Sequence, residues 1–118
     1  MNKILVLDTK LFMLRLLQHH LERAGYEMVQ ARNGEDALRA VQLNQFSMVL
    51  LDDSSRELFD PVIALLRMTQ KHIPVIRMSE IPPGMLLPRS NENEIVLTKP
   101  FSPTQLVSEV RRLMPASI

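Results

Sequence analysis

Two stretches of the chain are apolar without interruption and end on carboxylates. Residues 4–7 are followed by Asp8, and residues 48–51 are followed by Asp52 and Asp53. A short apolar run that does not alternate with polar residues is typical of a strand covered on both faces in a parallel sheet. We therefore predict two buried strands, with the acids lying where the strands end.

The other periodicities predict that strands and helices alternate along the chain. Further strands are expected at residues 26–31, 74–79 and 94–98, and helices at residues 11–24, 34–41, 61–71 and 103–114. Alternation of this kind predicts a parallel sheet with helices on both faces and right-handed crossovers.

Capping residues mark the predicted helix starts. Asn33 reads as an N-cap, Asp60-Pro61 as an N-cap followed by proline at the first helical position, and Ser102-Pro103 as the start of a capping box. The apolar side chains expected to face inward from the two middle helices are Ala37, Leu38, Ala40 and Val41, and Val62, Ile63, Leu65 and Leu66.

Residues 80–93 break the alternation. Three prolines and a glycine in this segment exclude a regular helix across it. We predict that Met85, Leu86 and Leu87 cover the sheet there as an extended or single-turn segment.

Composition narrows the classes of protein that fit. A chain of 118 residues with 46% hydrophobic and 23% charged residues predicts one globular domain spanning residues 1–118. A net charge of +1 and 4% aromatic residues argue against direct nucleic-acid binding. No apolar run approaches the ~20 residues of a membrane span, and the absence of cysteine fits the cytoplasm.

Four polar residues end four of the predicted strands: Asp8, Asp52, Ser79 and Lys99. Because the carboxyl ends of parallel strands meet at one edge of the sheet, we expect these side chains to lie together. Two neighbouring carboxylates repel each other unless a cation lies between them, and Lys99 or a divalent ion could be that cation. A carboxylate, a metal ion, a lysine and a hydroxyl are the parts needed to accept a phosphoryl group.

In this order and spacing, the motifs resemble the receiver domain of two-component response regulators over nearly the whole chain. The matching segments are KILVLD (3–8), AGYE (24–27), ARNGEDAL (31–38), MVLLD (48–52), PVIRMS (74–79) and TKPFSPTQL (98–106). The resemblance implies a flavodoxin-like, doubly wound α/β fold with five parallel strands in the order 2-1-3-4-5.

The resemblance also implies roles for the residues at the strand ends. Asp52 matches the phosphoacceptor, Lys99 the lysine that the family carries at this position and Ser79 the switch hydroxyl. The expected magnesium site consists of Asp8, Asp52 and Ser54. The implied partners are a histidine kinase or phosphotransfer protein and a downstream protein. Whether the protein ends at Ile118 or continues into an output domain stays open, and no enzyme activity is expected beyond phosphoryl transfer to Asp52 itself.

Several positions depart from the family pattern. Thr9 replaces the second acid of an acidic pair, so we expect magnesium binding to be weak or absent. Val96 replaces the switch aromatic, and residues 80–93 stand where the fourth helix would be, so that helix is expected to be degraded or missing. Asp53 is expected to be a solvated loop residue, although it could stand in for the missing acid. Arg77 is expected at a less buried position or with its charged end reaching solvent.

Three functions are compatible with these residues. The first is a phospho-switch on Asp52, and the second is a pseudo-receiver that binds partners independently of phosphorylation, in which Asp52 and Lys99 form only a structural ion pair. The third, a flavodoxin-like nucleotide or flavin binder, is weakened by the lack of a glycine-rich phosphate loop after Leu7.

Overall fold

A computed structural model describes residues 2–81 and 93–114 of the chain. Its elements, in chain order, are β1 (Lys3–Leu7), α1 (Leu11–Arg23), β2 (Glu27–Ala31), α2 (Gly34–Leu43), β3 (Met48–Asp52), a 3-10 turn η1 (Asp53–Ser55), α3 (Arg56–Thr69), β4 (Val75–Ser79), β5 (Glu94–Thr98) and α4 (Pro103–Leu113).

The five strands form one parallel sheet in the order β2-β1-β3-β4-β5. The predicted α/β class, doubly wound arrangement and strand order are therefore confirmed. β3 occupies the centre of the sheet and is buried along its whole length, as its unbroken apolar run predicts.

Helices cover both faces of the sheet because side chains alternate along each strand. On one face, Leu5, Leu7, Val49 and Leu51 pack with buried residues of α2 and α3, including Ala37 and Phe59. On the other face, Ile4, Val6, Met48 and Leu50 pack with buried residues of α1 and α4, including Leu17 and Leu106. Successive side chains of a strand therefore face opposite sides of the sheet. The same alternation places Asp52 and Asp53 on opposite sides at the end of β3.

Local signals at the helix ends act as predicted. Gly25 adopts a φ of 95° just after α1, a conformation that favours glycine. The Asn33 side chain accepts a hydrogen bond from the Asp36 N–H at the start of α2. Ser102 and Gln105 form the reciprocal capping box that starts α4, with Pro103 at its first position.

The start of α3 differs from the sequence prediction. The helix begins at Arg56, so Pro61 lies inside it and Asp60 is not its N-cap. The extra turn is stabilised because it carries Phe59 into the core, where the ring is fully buried.

Two leucines predicted to face inward are partly exposed instead. The exposed fraction is 38% for Leu38 and 42% for Leu65. Ala37, Ala40, Val62, Ile63 and Leu66 already fill the buried stripes of α2 and α3, which leaves these leucines on the flanks of their helices.

Residues 82–92 lie outside the described part of the chain, and the predicted covering segment Met85–Leu87 falls within them. The prediction that the fourth receiver helix is degraded or missing concerns the same residues, so it stays a prediction. Within residues 2–81 and 93–114, no helix is long and apolar enough to cross a membrane.

Pro61 provides a stability test of the observed start of α3. Proline inside a helix lacks the N–H that would bond to the preceding turn, so Pro61→Ala should raise the free energy of unfolding by about 1–3 kcal/mol. Urea denaturation measures this change. Pro103→Ala is the matched control, because proline is favourable at the first position of α4 and its removal should not stabilise the domain. Equal effects of the two substitutions would contradict a helix that starts at Arg56.

Candidate functional site

The ends of four strands converge at one edge of the sheet. Asp8 directly follows β1, Asp52 is the last residue of β3, Ser79 is the last of β4, and Lys99 directly follows β5. The Lys99 N–H donates to the Ser79 carbonyl at 2.7 Å, which joins the last two ends. The four residues expected from the sequence are therefore at the same edge.

The Asp52 carboxylate accepts hydrogen bonds at both of its oxygens. The Lys99 ammonium lies 2.9 Å from Oδ1. Oδ2 accepts from the Lys10 ammonium at 3.0 Å, the Ser54 hydroxyl at 2.9 Å and the Ser55 hydroxyl at 3.2 Å. The Asp52 side chain itself has an exposed fraction of 0%. Protein donors thus surround a carboxylate that has no direct contact with solvent.

The charge of Asp52 depends on these donors. Burial raises the pKa of its carboxyl, but hydrogen bonds from Lys99, Lys10 and Ser54 outweigh burial and lower the pKa from its ordinary 3.8 to about 2. Asp52 is therefore ionised at neutral pH. The hydrogen bond to Asp52 also raises the pKa of Lys10, so the pair is fully charged.

Asp8 has a different environment although it lies beside Asp52. Its Oδ1 accepts the Lys10 main-chain N–H at 2.9 Å, whereas its buried Oδ2 has no hydrogen-bond partner among the described residues. Burial raises the pKa of Asp8, and the negative charge of Asp52 raises it further against the opposing effect of the Lys10 N–H. The two carboxylates thus have pKa values shifted in opposite directions.

The Ser79 hydroxyl is buried at the same edge. Its Oγ accepts the Ile81 main-chain N–H at 3.0 Å. This is the strand-ending hydrogen bond that a serine at this position would make without any role in chemistry. The hydroxyl proton is not used in that bond, and it donates to no other group among the described residues.

Asp53 and Arg77 correct two sequence predictions. They form an ion pair with 2.7 Å between Arg77 Nε and Asp53 Oδ1, and their side chains are only 8% and 9% exposed. Asp53 is therefore not a solvated loop residue, and Arg77 does not extend to solvent. Each charge is buried because the other neutralises it, and together they tie η1 to β4.

Protein donors already contact most of the oxygens that a divalent ion would use at this edge of the sheet. No group of three or more histidine, cysteine, aspartate or glutamate side chains with metal-site spacing occurs in the described ranges. Both Asp52 oxygens already accept ammonium groups, and the Ser54 hydroxyl, expected near the metal, donates to Asp52. Among the described residues of this edge, Asp8 Oδ2 is a buried carboxylate oxygen that accepts no hydrogen bond.

Lys10 and Ser55 were not singled out from the sequence, and Arg77 was expected to be poorly buried. The usable signal for Lys10 was its position two residues after Asp8, where a long side chain can reach back over the sheet edge. Arg77 had a signal too, since a buried strand position with a positive charge requires an acid nearby.

The pKa of Asp52 predicts how stability depends on pH. Because the folded-state pKa lies below the unfolded value, ionised Asp52 stabilises the fold above pH 3.8, and this contribution is lost as the pH falls toward 2. The wild-type protein should lose about 2 kcal/mol relative to Asp52→Asn between these limits. Urea unfolding of both proteins from pH 5 downward measures the difference. A difference that is constant with pH would show that Asp52 is not held ionised by its donors.

Comparisons with known proteins bear on the family of the chain. No family model matches the chain. The chain is 32% identical over 117 residues to the "Probable transcriptional regulator ycf27" of Cyanophora paradoxa. The alignment covers 96% of this chain and 48% of that relative. It is 30% identical over 127 residues to the alkaline phosphatase synthesis transcriptional regulatory protein PhoP of Bacillus subtilis, covering 98% of the chain and 50% of the relative. The chain thus spans about half the length of these curated relatives.

Solved structures share the whole fold. The response regulator TrrA of Thermotoga maritima, determined in complex with Mg²⁺-BeF, matches with a TM-score of 0.74 and 27% identity over 97% of this chain and 100% of that chain. The chemotaxis protein CheY4 of Vibrio cholerae matches with a TM-score of 0.79 and 23% identity over 97% and 99%. These similarities, the strand order and the convergence of Asp8, Asp52, Ser79 and Lys99 lead to one conclusion. The chain belongs to the receiver domains of two-component response regulators.

Proposed function

We propose that this receiver domain accepts a phosphoryl group on Asp52 from a histidine kinase or phosphotransfer protein and passes the signal on by protein–protein contact. One observation supports the proposal most directly. A buried, ionised carboxylate stands at the end of the central strand with one ammonium group on each oxygen, Lys99 on Oδ1 and Lys10 on Oδ2. Such a carboxylate is a nucleophile in a setting that can also neutralise the charge of a phosphoryl group.

The transfer itself uses one oxygen of Asp52. Oδ2 accepts three donors and Oδ1 only one, so Oδ1 has more electron density available for attack. Oδ1 forms a bond to phosphorus as the bond between phosphorus and the donor's imidazole nitrogen breaks. That nitrogen keeps the electron pair and takes a proton from water, and an acyl phosphate remains on Asp52. Lys99, next to Oδ1, is placed to neutralise the new phosphoryl oxygens.

Access to Asp52 depends on Lys10. Asp52 is fully covered, whereas the Lys10 side chain is 54% exposed and Ser54 is also exposed, so these two donors on Oδ2 face solvent. A phosphodonor approaches the carboxylate once the Lys10 side chain has swung outward. Ser79 is proposed to bind the phosphoryl group through its hydroxyl proton, because its Oγ already accepts a bond and is fixed in place.

The proposed partners and location follow from the relatives and the charge. A net charge of +1 offers no broad basic face, so we propose that the domain itself does not bind nucleic acid. Two relatives are named as transcriptional regulators, so DNA binding by the whole protein would reside outside these residues. A cytoplasmic location is part of the proposal, because a phosphodonor and a transcriptional output would meet the domain there. Phosphoryl transfer to Asp52 is the only catalytic step proposed.

A second function is favoured by the number of donors on Asp52. Four hydrogen bonds stabilise the Asp52 carboxylate when no phosphoryl group is bound. A pseudo-receiver that binds its partners through a fixed shape would need such a stable, unphosphorylated site. The replacement of the switch aromatic by Val96 points the same way. The named relatives and structures are regulators and receiver domains, which argues against the flavin-binding alternative.

Incubation with phosphoramidate distinguishes the two functions. We expect intact-mass spectrometry to show one added phosphoryl group per chain, and peptide mapping to place it on Asp52. Asp52→Asn should abolish the addition, because an amide is not a nucleophile of comparable strength. Asp60→Asn, which changes an exposed acid of α3, is the matched control and should be labelled like the wild type. Absence of label on the folded wild-type protein would favour the pseudo-receiver.

A further inference from the structure

Lys10 contacts both carboxylates of the site through different groups. Its main-chain N–H donates to Asp8 Oδ1 at 2.9 Å, and its ammonium donates to Asp52 Oδ2 at 3.0 Å. Lys10 is also the residue that precedes α1, and its carbonyl accepts the Leu14 N–H at 3.1 Å. The main chain of Lys10 is thus fixed from both sides, and only its side chain is free to move.

The charges of the cluster cancel without any bound ion. Asp8 and Asp52 carry two negative charges when ionised, and Lys10 and Lys99 carry two positive charges. Thr9 adds none. A divalent cation placed between the carboxylates would leave a net double positive charge next to two fully buried side chains, Asp8 and Asp52. Charges of the same sign repel more strongly beside buried groups than in bulk water, so the ion would be disfavoured.

The ammonium of Lys10 also takes the oxygen that a divalent ion would need. Magnesium selects anionic oxygens, and Oδ2 of Asp52 and Oδ2 of Asp8 are two carboxylate oxygens at this sheet edge that could serve it. The first of these accepts Lys10 together with two serine hydroxyls, and the second has no hydrogen-bond donor among the described residues. The Lys10 ammonium therefore already contacts one of these two oxygens.

We infer that Lys10 is the built-in cation of the phosphoacceptor site, held where a divalent ion would bind, and that phosphoryl transfer to Asp52 is consequently independent of magnesium. The second half of this inference rests on the proposed function. Lys10 has a long, half-exposed side chain, so its ammonium can leave Oδ2 and follow the incoming phosphoryl oxygens while its main-chain bond to Asp8 persists. A lysine in this role supplies charge but no coordination geometry.

Calorimetric titration with MgCl₂ tests the first half on the unphosphorylated protein. The wild type should show no saturable binding up to about 10 mM, in keeping with a site poor in free anionic ligands. Lys10→Met and Lys10→Gln should each bind magnesium at least about tenfold more tightly, because each removes the competing charge. Adding Thr9→Asp to Lys10→Met should tighten binding further, since it adds an anionic ligand.

Two control variants separate the role of Lys10 from a general effect of charge. Lys10→Arg keeps the positive charge and should exclude magnesium as the wild type does. Lys71→Met removes an exposed lysine from the turn before β4, at the opposite edge of the sheet, and should leave magnesium binding unchanged. Saturable binding to the wild type, or no gain for both uncharged Lys10 variants once circular dichroism shows that they fold, would overturn the inference.

Phosphate incorporation from phosphoramidate, with EDTA or with magnesium, tests the second half. The wild type should be labelled at the same rate in both, whereas Lys10→Met should be slower by about tenfold or more in EDTA and recover with magnesium. A wild type that requires magnesium overturns the inference but leaves the proposed function intact. A wild type that is labelled under neither condition overturns the proposed function, and the titration then decides the role of Lys10 alone.

Discussion

The buried negative charge of Asp52 determines which side chains surround it at this edge of the sheet. A carboxylate without access to water is stable only if donors replace the lost hydration. Three separate parts of the chain supply them: the β1–α1 junction through Lys10, the η1 turn through Ser54 and Ser55, and the end of β5 through Lys99. The convergence of strand ends in a parallel sheet makes this possible, because segments far apart in sequence meet at one point.

The turn after β3 is positioned by a second buried charge pair. Consecutive side chains of a strand face opposite sides of the sheet, so Asp52 points toward the α1 and α4 side and Asp53 toward the α2 and α3 side. Asp53 meets Arg77 of β4 there at 2.7 Å. That ion pair fixes the start of η1, and with it the two serine hydroxyls that donate to Asp52. Asp53, which was expected to be solvated, thus positions two of the hydrogen-bond donors of Asp52.

The sequence predicts the fold better than it predicts the site. Uninterrupted apolar runs at residues 4–7 and 48–51 identify buried parallel strands, because only burial on both faces selects such runs. The resemblance to receivers supplied the strand order. The start of α3 was missed because Pro61 marks a helix start locally, while burial of Phe59 extends the helix by a turn. Lys10 was missed because its contact with Asp52 spans 42 residues and exists only once β1 and β3 are adjacent.

The two lysines on Asp52 differ in their freedom to move, and this difference gives them separate roles. Lys99 is 13% exposed and Lys10 is 54% exposed, although both bind the same carboxylate at about 3 Å. A buried ammonium cannot leave its partner without a desolvation cost on both groups, so Lys99 is a permanent neighbour of Oδ1. An ammonium already near water loses little by moving into it, so Lys10 can leave Oδ2 at low cost. Both lysines keep Asp52 ionised, but Lys10 is the one that can be withdrawn from the carboxylate at low cost.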